Sequence, residues 1–452
     1  MPSSKPVQPF VKMSSARSVL ASPSKPNESE QAMQLTRNGK KRVVITGLGL
    51  VSPLGGKLAF WDALQRGESG IRKLQNIECG HLDVRIGGEV KDFDSSAVIR
   101  PKEARRMGRA TQFALVAAQQ AIEDAGLSRE ELREIGERVA TVIGTTLGSY
   151  EVGEKGIRSW RESGFRRANP TSIVNALPNM PAHYVSKRFG AVGPLITPSV
   201  ACATGIQAVG EACDLIQLGK CDLALAGAMD AVIIDYILAG FSATRALTRD
   251  YNDDPSAASR PFDKDRSGFV LGEGGGIFIV ESLASALRRD ATIYAEILGY
   301  AASSDAYHVA APDPHGGGAR RAMRWALDDA RVNSDEIETI NAHGSSTQAN
   351  DAIETAAIKH VFGEDAYKIP VNSTKSMIGH AMAGCGSQEL AACLMTLTRE
   401  VLHPTINYHS PDSNCDLDYV PNTARDVPGI RTLMSNSFGL GGQNACIVLR
   451  KL

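Results

Sequence analysis

The sequence lacks the features that mark several common classes of protein. It carries 49 Lys and Arg against 50 Asp and Glu, a net charge of −1, so no global field draws it to nucleic acid or to an anionic membrane. No run of about 18 apolar residues is free of charge, which is the minimum for a membrane-spanning helix. The longest candidate, residues 223–240, contains Asp230 and Asp235. We therefore expect neither a nucleic-acid partner nor a membrane span.

Cysteine and glycine motifs with a defined ligand are also missing. The eight cysteines form no C-x-x-C pair, which argues against a disulfide framework and favours a reducing compartment. The segment Gly47-Leu-Gly49 lacks the third glycine of a dinucleotide fingerprint, and residues 268–276 lack the Lys-Ser/Thr of a phosphate loop. We interpret both glycine segments as tight turns.

The first 40 residues differ from the rest of the chain. They are rich in Ser, Pro and Lys without a hydrophobic period, and residues 1–27 contain basic but no acidic side chains. We interpret residues 1–40 as a disordered tail, or as a targeting segment if they act as a transit peptide. The expected location is the cytoplasm, or a plastid or mitochondrion in the second case.

Beyond the tail, predicted strands and helices alternate, which is typical of an α/β fold. A helix over 106–125 leads through an acidic loop into a strand at 138–145. The same order recurs with a helix at 319–330 and a strand at 338–341. This similarity suggests gene duplication. We divide the folded chain into halves at 41–290 and 291–452.

A reactive cysteine lies in the first half. Cys202 is placed between a predicted strand at 195–200 and a predicted helix at 205–218. A thiol at a helix N-terminus feels the positive end of the helix dipole, which favours the thiolate. Free backbone N–H groups at the same point can hold an oxyanion. Cys202 is therefore the candidate nucleophile.

Two segments of the second half carry the candidate partners of the cysteine. His343 follows a predicted strand, and Lys375 and His380 share a loop rich in small residues. Each residue alone is as compatible with a structural role as with a functional one. Together, a cysteine at a helix entry and two histidines at strand ends indicate a catalytic site.

The order of these motifs resembles the 3-oxoacyl-[acyl-carrier-protein] synthases of type II fatty acid synthesis, in the elongating Cys-His-His branch. The resemblance runs from about Arg42 to the C-terminus. It rests on Val-Ile-Thr-Gly-Leu-Gly at 44–49, Ala-Cys-Ala-Thr-Gly at 201–205, Ala-Ser-Arg-Pro-Phe-Asp at 258–263, Asp-Ala-Tyr-His at 305–308, Ala-His-Gly at 342–344, Asn-Ser-Thr-Lys-Ser-Met-Ile-Gly-His at 372–380 and Asn-Ser-Phe-Gly-Leu-Gly-Gly at 436–442. It implies a duplicated thiolase-like α/β/α/β/α sandwich and a homodimer.

The resemblance also implies a reaction, a decarboxylative Claisen condensation. Cys202 would hold an acyl group as a thioester, and malonyl-acyl-carrier protein would lose CO2 and attack it, giving 3-oxoacyl-acyl-carrier protein. His343 and His380 would donate hydrogen bonds to the malonyl thioester carbonyl. The backbone N–H groups of Cys202 and Leu440 would form an oxyanion hole, in a gate loop that includes Phe438. No metal or cofactor is implied beyond the carrier's phosphopantetheine.

The remaining implied roles support that reaction. Lys375 would organise the histidines, paired with Glu354. Ser345 and Thr347 would bind the pantetheine arm, and Leu147 would bound the acyl pocket. The acidic carrier protein would dock on a local basic patch made of Lys102, Arg105, Arg106, Arg166, Arg167 and Arg245.

Departures from the family pattern leave alternatives open. Leu440 stands where the family usually has Phe, and Gln348 where Pro is usual. One alternative is therefore the catalytic ketosynthase of a type II polyketide or polyene synthase, paired with a homologue that sets chain length. A more remote alternative is a zinc site made of Cys202, His343 and His380, for which the ligand count suffices but a local pair such as H-x-x-x-H is missing. A non-enzymatic scaffold is disfavoured because these three residues are all present.

Overall fold

The structure is a computed structural model that describes residues 35–452. Residues 36–41 form a small antiparallel hairpin that precedes the main fold. The earlier part of the predicted tail, residues 1–34, lies outside the described residues.

One ten-stranded sheet organises the fold. Its strands, numbered along the chain, are β1 Val43–Val51, β2 Val139–Gly144, β3 Leu195–Ile196, β4 Leu223–Asp230, β5 Gly274–Ser282, β6 Ala295–Ser304, β7 Thr339–Asn341, β8 Val371–Asn372, β9 Thr432–Gly439 and β10 Gln443–Arg450. Three two-stranded sheets pair Thr36–Arg37 with Lys40–Lys41, Arg72–Lys73 with Ile86–Gly87, and Val401–Leu402 with Arg425–Asp426.

The strand order β8-β7-β9-β10-β6-β1-β5-β4-β2-β3 contains one five-stranded unit twice. In the first unit, β2 lies parallel between β3 and β4, and β5 pairs antiparallel with β4 and β1. In the second unit, β7 lies parallel between β8 and β9, and β10 pairs antiparallel with β9 and β6. The units join where β1 and β6 pair antiparallel. The predicted duplication is therefore visible in the strand order.

The longer helices are α1 Lys57–Gln65, α2 Arg109–Asp124, α3 Tyr150–Ser163, α4 Met180–Phe189, α5 Thr204–Gln217, α6 Asp235–Ala243, α7 Gly317–Ala330, α8 Gln348–Phe362 and α9 Ala383–Arg399. Short helices span Pro101–Ala104, Arg129–Glu134, Ser172–Asn175, Leu283–Arg288 and Lys375–Ile378.

The helices form three layers. Helices α5 and α9 pack in a core shared with strands of both units. Helix α2 covers the outer face of the first unit, and α7 and α8 cover that of the second. The predicted thiolase-like α/β/α/β/α sandwich is confirmed. Among residues 35–452, no helix combines the length and the hydropathy needed to cross a membrane.

The interpretation of Gly47 and Gly49 as a turn was wrong. Both lie inside β1, which continues to the end of its buried run. Helix α2 crosses the strand so closely that a Cβ at Gly49 would lie 1.8 Å from the carbonyl oxygen of Ala117. Gly299 in β6 is the counterpart, since a Cβ there would lie 2.5 Å from the carbonyl oxygen of Ala326 on α7. These glycines therefore allow helix and strand backbones to approach, one in each unit.

Two other elements differ from expectation. The glycine run at 268–276 opens strand β5 instead of forming only a turn. The strand predicted over 195–200 is limited to β3, because the chain after it turns towards the cysteine. The helix predicted over 205–218 is observed one residue earlier, as α5.

Candidate active site

Cys202 lies in a single 3₁₀ turn, Ala201–Ala203, that leads directly into α5. Ala201 has a φ of 49°, a left-handed conformation that is uncommon for a residue with a Cβ. The hydroxyl of Thr204 fixes the turn, since it donates to the carbonyl of Ala201 over 2.7 Å and accepts from the N–H of Val200 over 2.9 Å. The thiol is only 3% exposed.

The protonation state of Cys202 corrects one expectation. Burial raises the pKa of its thiol to about 11, although the backbone N–H groups of Leu440 and of Cys202 itself act to lower it. Desolvation therefore outweighs the helix terminus and favours the thiol over the predicted thiolate. The same two N–H groups converge on the sulfur, which is the arrangement of an oxyanion hole.

His343 follows β7 and is fixed through its backbone. The carboxylate of Glu354, on α8, accepts the N–H groups of His343 and Gly344, each over 2.8 Å. Burial raises the pKa of Glu354 to about 7, and these hydrogen bonds act to lower it. Glu354 thus holds the loop that carries the imidazole.

His380 lies opposite His343, with the ring centroids 5.4 Å apart. The backbone N–H of His380 donates to the carbonyl of Val270 over 2.8 Å. Its Nδ1 accepts the N–H of Met382 over 3.0 Å. Phe269 lies against the ring at 5.3 Å between centroids.

The hydrogen bonds assign a tautomer to both imidazoles. Nδ1 of His343 lies 3.3 Å from Nζ of Lys375, and Nδ1 of His380 receives the N–H of Met382. Because each Nδ1 faces a donor, each Nε2 carries the proton. Burial lowers the pKa of both histidines well below 6.5, and the Lys375 charge lowers it further. The site therefore presents two neutral imidazoles as hydrogen-bond donors.

The expected pairing of Lys375 with Glu354 was wrong. Nζ of Lys375 forms an ion pair with Glu389 on α9 and donates to the carbonyl of His343 over 2.6 Å. Lys375 is 1% exposed and Glu389 is fully buried. Although burial disfavours its charge, nearby acidic groups raise the pKa of Lys375. Glu389 was missed, and its signal was the single acid in α9, where the one other charged residue is Arg399 at the C-terminal end.

A cavity of about 470 Å³ opens onto Cys202 and both histidines. Ser345 and Thr347 line it, with their hydroxyl oxygens 3.0 Å apart. Phe438 and Leu440 form part of the wall at the gate loop. Leu147 is not part of the lining and is 41% exposed, so its predicted role stays a prediction.

The six predicted docking cations are all exposed. Arg245 lines the cavity that contains Cys202. Arg105 and Arg106 line a separate groove of about 720 Å³. The structure therefore brings one of the six cations to the catalytic cavity and leaves the others on the surrounding surface.

A zinc site does not fit the protonation of this cluster. The candidate ligand atoms of Cys202, His343 and His380 all lie within 4.8 Å of one another. A metal would need the Nε2 lone pairs, however, and the donors at Nδ1 require the proton to be on Nε2. The adjacent Lys375 charge also opposes a cation at this point. The geometry thus favours hydrogen bonding over metal binding.

A buried thiol with two backbone N–H donors and two neutral imidazoles, on a duplicated thiolase-like sandwich, defines a thiolase-fold condensing enzyme. The sequence profile "Beta-ketoacyl synthase, N-terminal domain" matches residues 40–286, and "Beta-ketoacyl synthase, C-terminal domain" matches residues 294–409. The chain belongs to the beta-ketoacyl synthase family, whose members are acyltransferases.

Individual relatives agree with this assignment. The chain is 45% identical to a 3-oxoacyl-[acyl-carrier-protein] synthase 2 of Synechocystis over 413 residues, 91% of this chain and 98% of the relative. It is 43% identical to the enzyme of the same name from Staphylococcus aureus over 412 residues, with the same coverage.

Solved structures of ketosynthases share the fold. A type II polyketide synthase ketosynthase, solved in complex with its acyl-carrier protein, has a TM-score of 0.83 at 35% identity, covering 91% of this chain and 100% of that one. A beta-ketoacyl synthase from Burkholderia phymatum has a TM-score of 0.84 at 33% identity, covering 91% of this chain and 99% of that one.

Proposed function

We propose that the protein extends acyl chains in fatty acid synthesis, by decarboxylative Claisen condensation of an acyl group on Cys202 with malonyl-acyl-carrier protein. The products are 3-oxoacyl-acyl-carrier protein and CO2. The observation that carries this proposal is the pair of neutral Nε2–H imidazoles facing a buried thiol. An enolate formed by loss of CO2 needs hydrogen-bond donors at its oxygen, and this site supplies two.

In the first half-reaction, Sγ of Cys202 attacks the thioester carbonyl of the acyl-carrier protein. The N–H groups of Cys202 and Leu440 stabilise the resulting oxyanion, each contributing about 3 kcal/mol to the lowering of the barrier. The carrier's thiol leaves, and in net terms the proton of Cys202 moves to the departing sulfur. Burial keeps the acyl thioester away from water.

In the second half-reaction, malonyl-acyl-carrier protein enters the same cavity. His343 and His380 donate to its thioester carbonyl, so the negative charge left by CO2 is stabilised as an enolate. The enolate carbon then attacks the Cys202 thioester, forming the carbon–carbon bond and releasing Cys202 as a thiolate, which takes up one proton from solvent to regenerate the thiol. Lys375 holds His343 by its side chain and its carbonyl, and Glu354 holds the same residue by its N–H.

The cavity also has a place for the rest of the substrate. Ser345 and Thr347 offer hydroxyl groups to the pantetheine amides, and Phe438 and Leu440 gate the opening. The acyl chain extends towards Leu147. The chemistry is supplied by the Cys202 thiol, the enolate formed from the malonyl group and the carrier's leaving thiol, so the proposed reaction requires no metal or redox cofactor.

The acidic carrier protein docks on the exposed cations around the cavity mouth, with Arg245 at the opening. Such rim charges mainly raise the association rate. A structural relative that binds its acyl-carrier protein supports this part of the proposal. We place the reaction in the cytoplasm, or in an organelle if residues 1–40 act as a transit peptide.

The functional unit is a homodimer formed through the edge of the sheet. Strand β3 is the outermost strand of the first unit and, among residues 35–452, pairs only with β2. Leu195 on this edge is 42% exposed, and Val192 just before it is 69% exposed. An unpaired strand edge with apolar side chains fits antiparallel pairing with a second copy. The halves at 41–290 and 291–452 would then act together in each subunit.

A polyketide role is the second candidate, because a type II polyketide synthase ketosynthase shares the fold at 35% identity. It is less well supported, since the 3-oxoacyl-[acyl-carrier-protein] synthases 2 are 42–45% identical over the same share of the chain.

Acyl loading tests the proposal directly. The protein is incubated with acyl-carrier proteins carrying chains of two carbons upward, and the intact enzyme is weighed by mass spectrometry. Cys202→Ala should abolish the mass gain. Cys213→Ala, which replaces a different buried cysteine that lies on α5, should keep the mass gain. Malonyl-acyl-carrier protein should then discharge the acyl group as 3-oxoacyl product. Failure of the wild type to load any chain would refute the catalytic role of this chain alone.

A further inference from the structure

Asp230 is a fully buried acid that the proposed reaction does not use. It ends strand β4, and its carboxylate accepts hydrogen bonds from three donors. The N–H of Thr146 is shared between Oδ1 at 3.1 Å and Oδ2 at 3.2 Å. Oδ2 also accepts from the hydroxyl of Thr146 over 2.6 Å and from the N–H of Ala383 over 2.8 Å. Burial raises its pKa to about 7, whereas these hydrogen bonds lower it. No lysine, arginine or histidine of residues 35–452 forms an ion pair with it.

One of these hydrogen-bonding partners leads to Leu147, the residue towards which the proposed acyl chain extends. Thr146 immediately precedes Leu147. Tyr150, which follows Thr146 by four residues, packs in the apolar cluster around Cys202. The other partner leads to the imidazoles. Ala383 is the first residue of α9 and follows the residue whose N–H binds Nδ1 of His380.

We propose that Asp230 is a positioning residue that fixes the Thr146–Leu147 segment, towards which the proposed acyl chain extends, and the His380 loop relative to each other. This inference rests on the proposed condensation reaction. Three segments far apart in sequence meet at one carboxylate, and a short side chain at the end of a central strand allows them little relative movement. The chain length accepted and the orientation of His380 are therefore set together.

A single carboxylate oxygen can do this, because Oδ2 accepts both the Thr146 hydroxyl and the Ala383 N–H. In Asp230→Ala, the oxygens are removed and both donors lose their shared acceptor. Since a displacement of about 1 Å at a reacting group can cost roughly a hundredfold in rate, we expect CO2 release from malonyl-acyl-carrier protein to fall roughly ten- to a hundredfold.

The test compares two variants with a matched control. Asp230→Ala loosens both sides. Thr146→Val removes only the hydroxyl donor and so loosens the Thr146–Leu147 side alone. The control is Asp124→Ala, because the Asp124 carboxylate also accepts a backbone N–H, that of Leu48 over 2.9 Å, but lies outside the cavity and the cluster around Cys202. For each protein, kcat and KM are measured for CO2 release, and Cys202 loading is measured across acyl chain lengths.

We expect Asp230→Ala to lower kcat for CO2 release without changing KM for the carrier protein, and to flatten the chain-length preference. Thr146→Val should change the chain-length preference and leave CO2 release near the wild-type rate. The control should match the wild type in both. Folded Asp230→Ala with both properties within about twofold of wild type would overturn the inference. If Asp230→Ala does not fold, an unchanged chain-length profile in Thr146→Val would do so. Absence of CO2 release from the wild type would instead refute the proposed reaction.

Discussion

The ion pair of Lys375 and Glu389 offers a test in which stability and activity separate. Both groups are almost completely buried, at 1% and 0% exposure. In Lys375→Met, the side-chain volume is nearly kept but Glu389 loses its cation. Its other side-chain partner is the hydroxyl of Ser437, 3.5 Å away. Leaving an unpaired buried charge costs about 3–5 kcal/mol of folding free energy.

The double variant removes that penalty. When Glu389→Leu is added to Lys375→Met, no charge is left buried. Replacing a buried ion pair by apolar side chains is often neutral or stabilising. We therefore expect the double variant to regain most of the lost stability. The measurement is equilibrium unfolding in urea for the wild type, both single variants and the double variant.

Activity should not return with stability. Without Lys375, Nδ1 of His343 loses its donor and the loop loses the hydrogen bond to the His343 carbonyl. The orientation of the imidazole is then no longer fixed, so CO2 release should fall roughly a hundredfold in both the single and the double variant.

A matched control is Lys57→Met, which breaks the partly exposed pair with Asp124. Such a pair contributes about 0–1 kcal/mol, and its loss should not affect CO2 release. The reasoning would be refuted if Lys375→Met cost no more than this control, or if the double variant were no more stable than Lys375→Met.

Four further outcomes are expected. Since the pKa values of both site histidines lie well below 6.5, CO2 release should not fall as the pH rises from about 6.5 to 8; a rate that fell about tenfold per pH unit over this range would indicate a catalytic imidazolium. Gly49→Ala, which forces a Cβ into the α2 backbone, should cost more than about 3 kcal/mol in urea unfolding, while Gly80→Ala, with open space around its Cβ position, should be nearly neutral; equal effects would contradict the close approach. Arg245→Glu should raise KM for the carrier protein, most strongly at low salt, and a change independent of salt would argue against an electrostatic role. In single-turnover loading, Leu440→Ala should stay within about threefold of wild type and Leu440→Pro, which removes the N–H, should lose roughly 10²–10³-fold; similar losses in both would assign the effect to the side chain.

The fold was predictable where local patterns repeat. Alternating elements and the internal similarity led to the duplicated sandwich that the strand order shows. The glycines of β1 were misinterpreted because a turn and a close helix crossing produce the same sequence pattern. Only the position of α2, which starts some 60 residues later, distinguishes the two.

The site was predictable in its residue types but not in its pairings. Glu354 and Glu389 are both buried acids on helices that follow the histidine loops, and sequence gives no distance from either to Lys375. The state of Cys202 depends on a similar balance. The helix terminus is a local feature visible in the sequence, whereas the desolvation that raises its pKa arises from the packing of segments distant in the chain.

The imidazoles of His343 and His380, which face the substrate, are uncharged for a chemical reason. An imidazolium would stabilise the enolate but would also be acidic enough to protonate its carbon, which would end the reaction as simple decarboxylation. A neutral Nε2–H is a far weaker acid, so it can donate a hydrogen bond and leave the carbanion free to attack the Cys202 thioester. Burial and the Lys375 charge both lower the pKa of His343 and His380, and so keep the imidazoles in this state. The lysine thus favours condensation over proton transfer without contacting the reacting atoms.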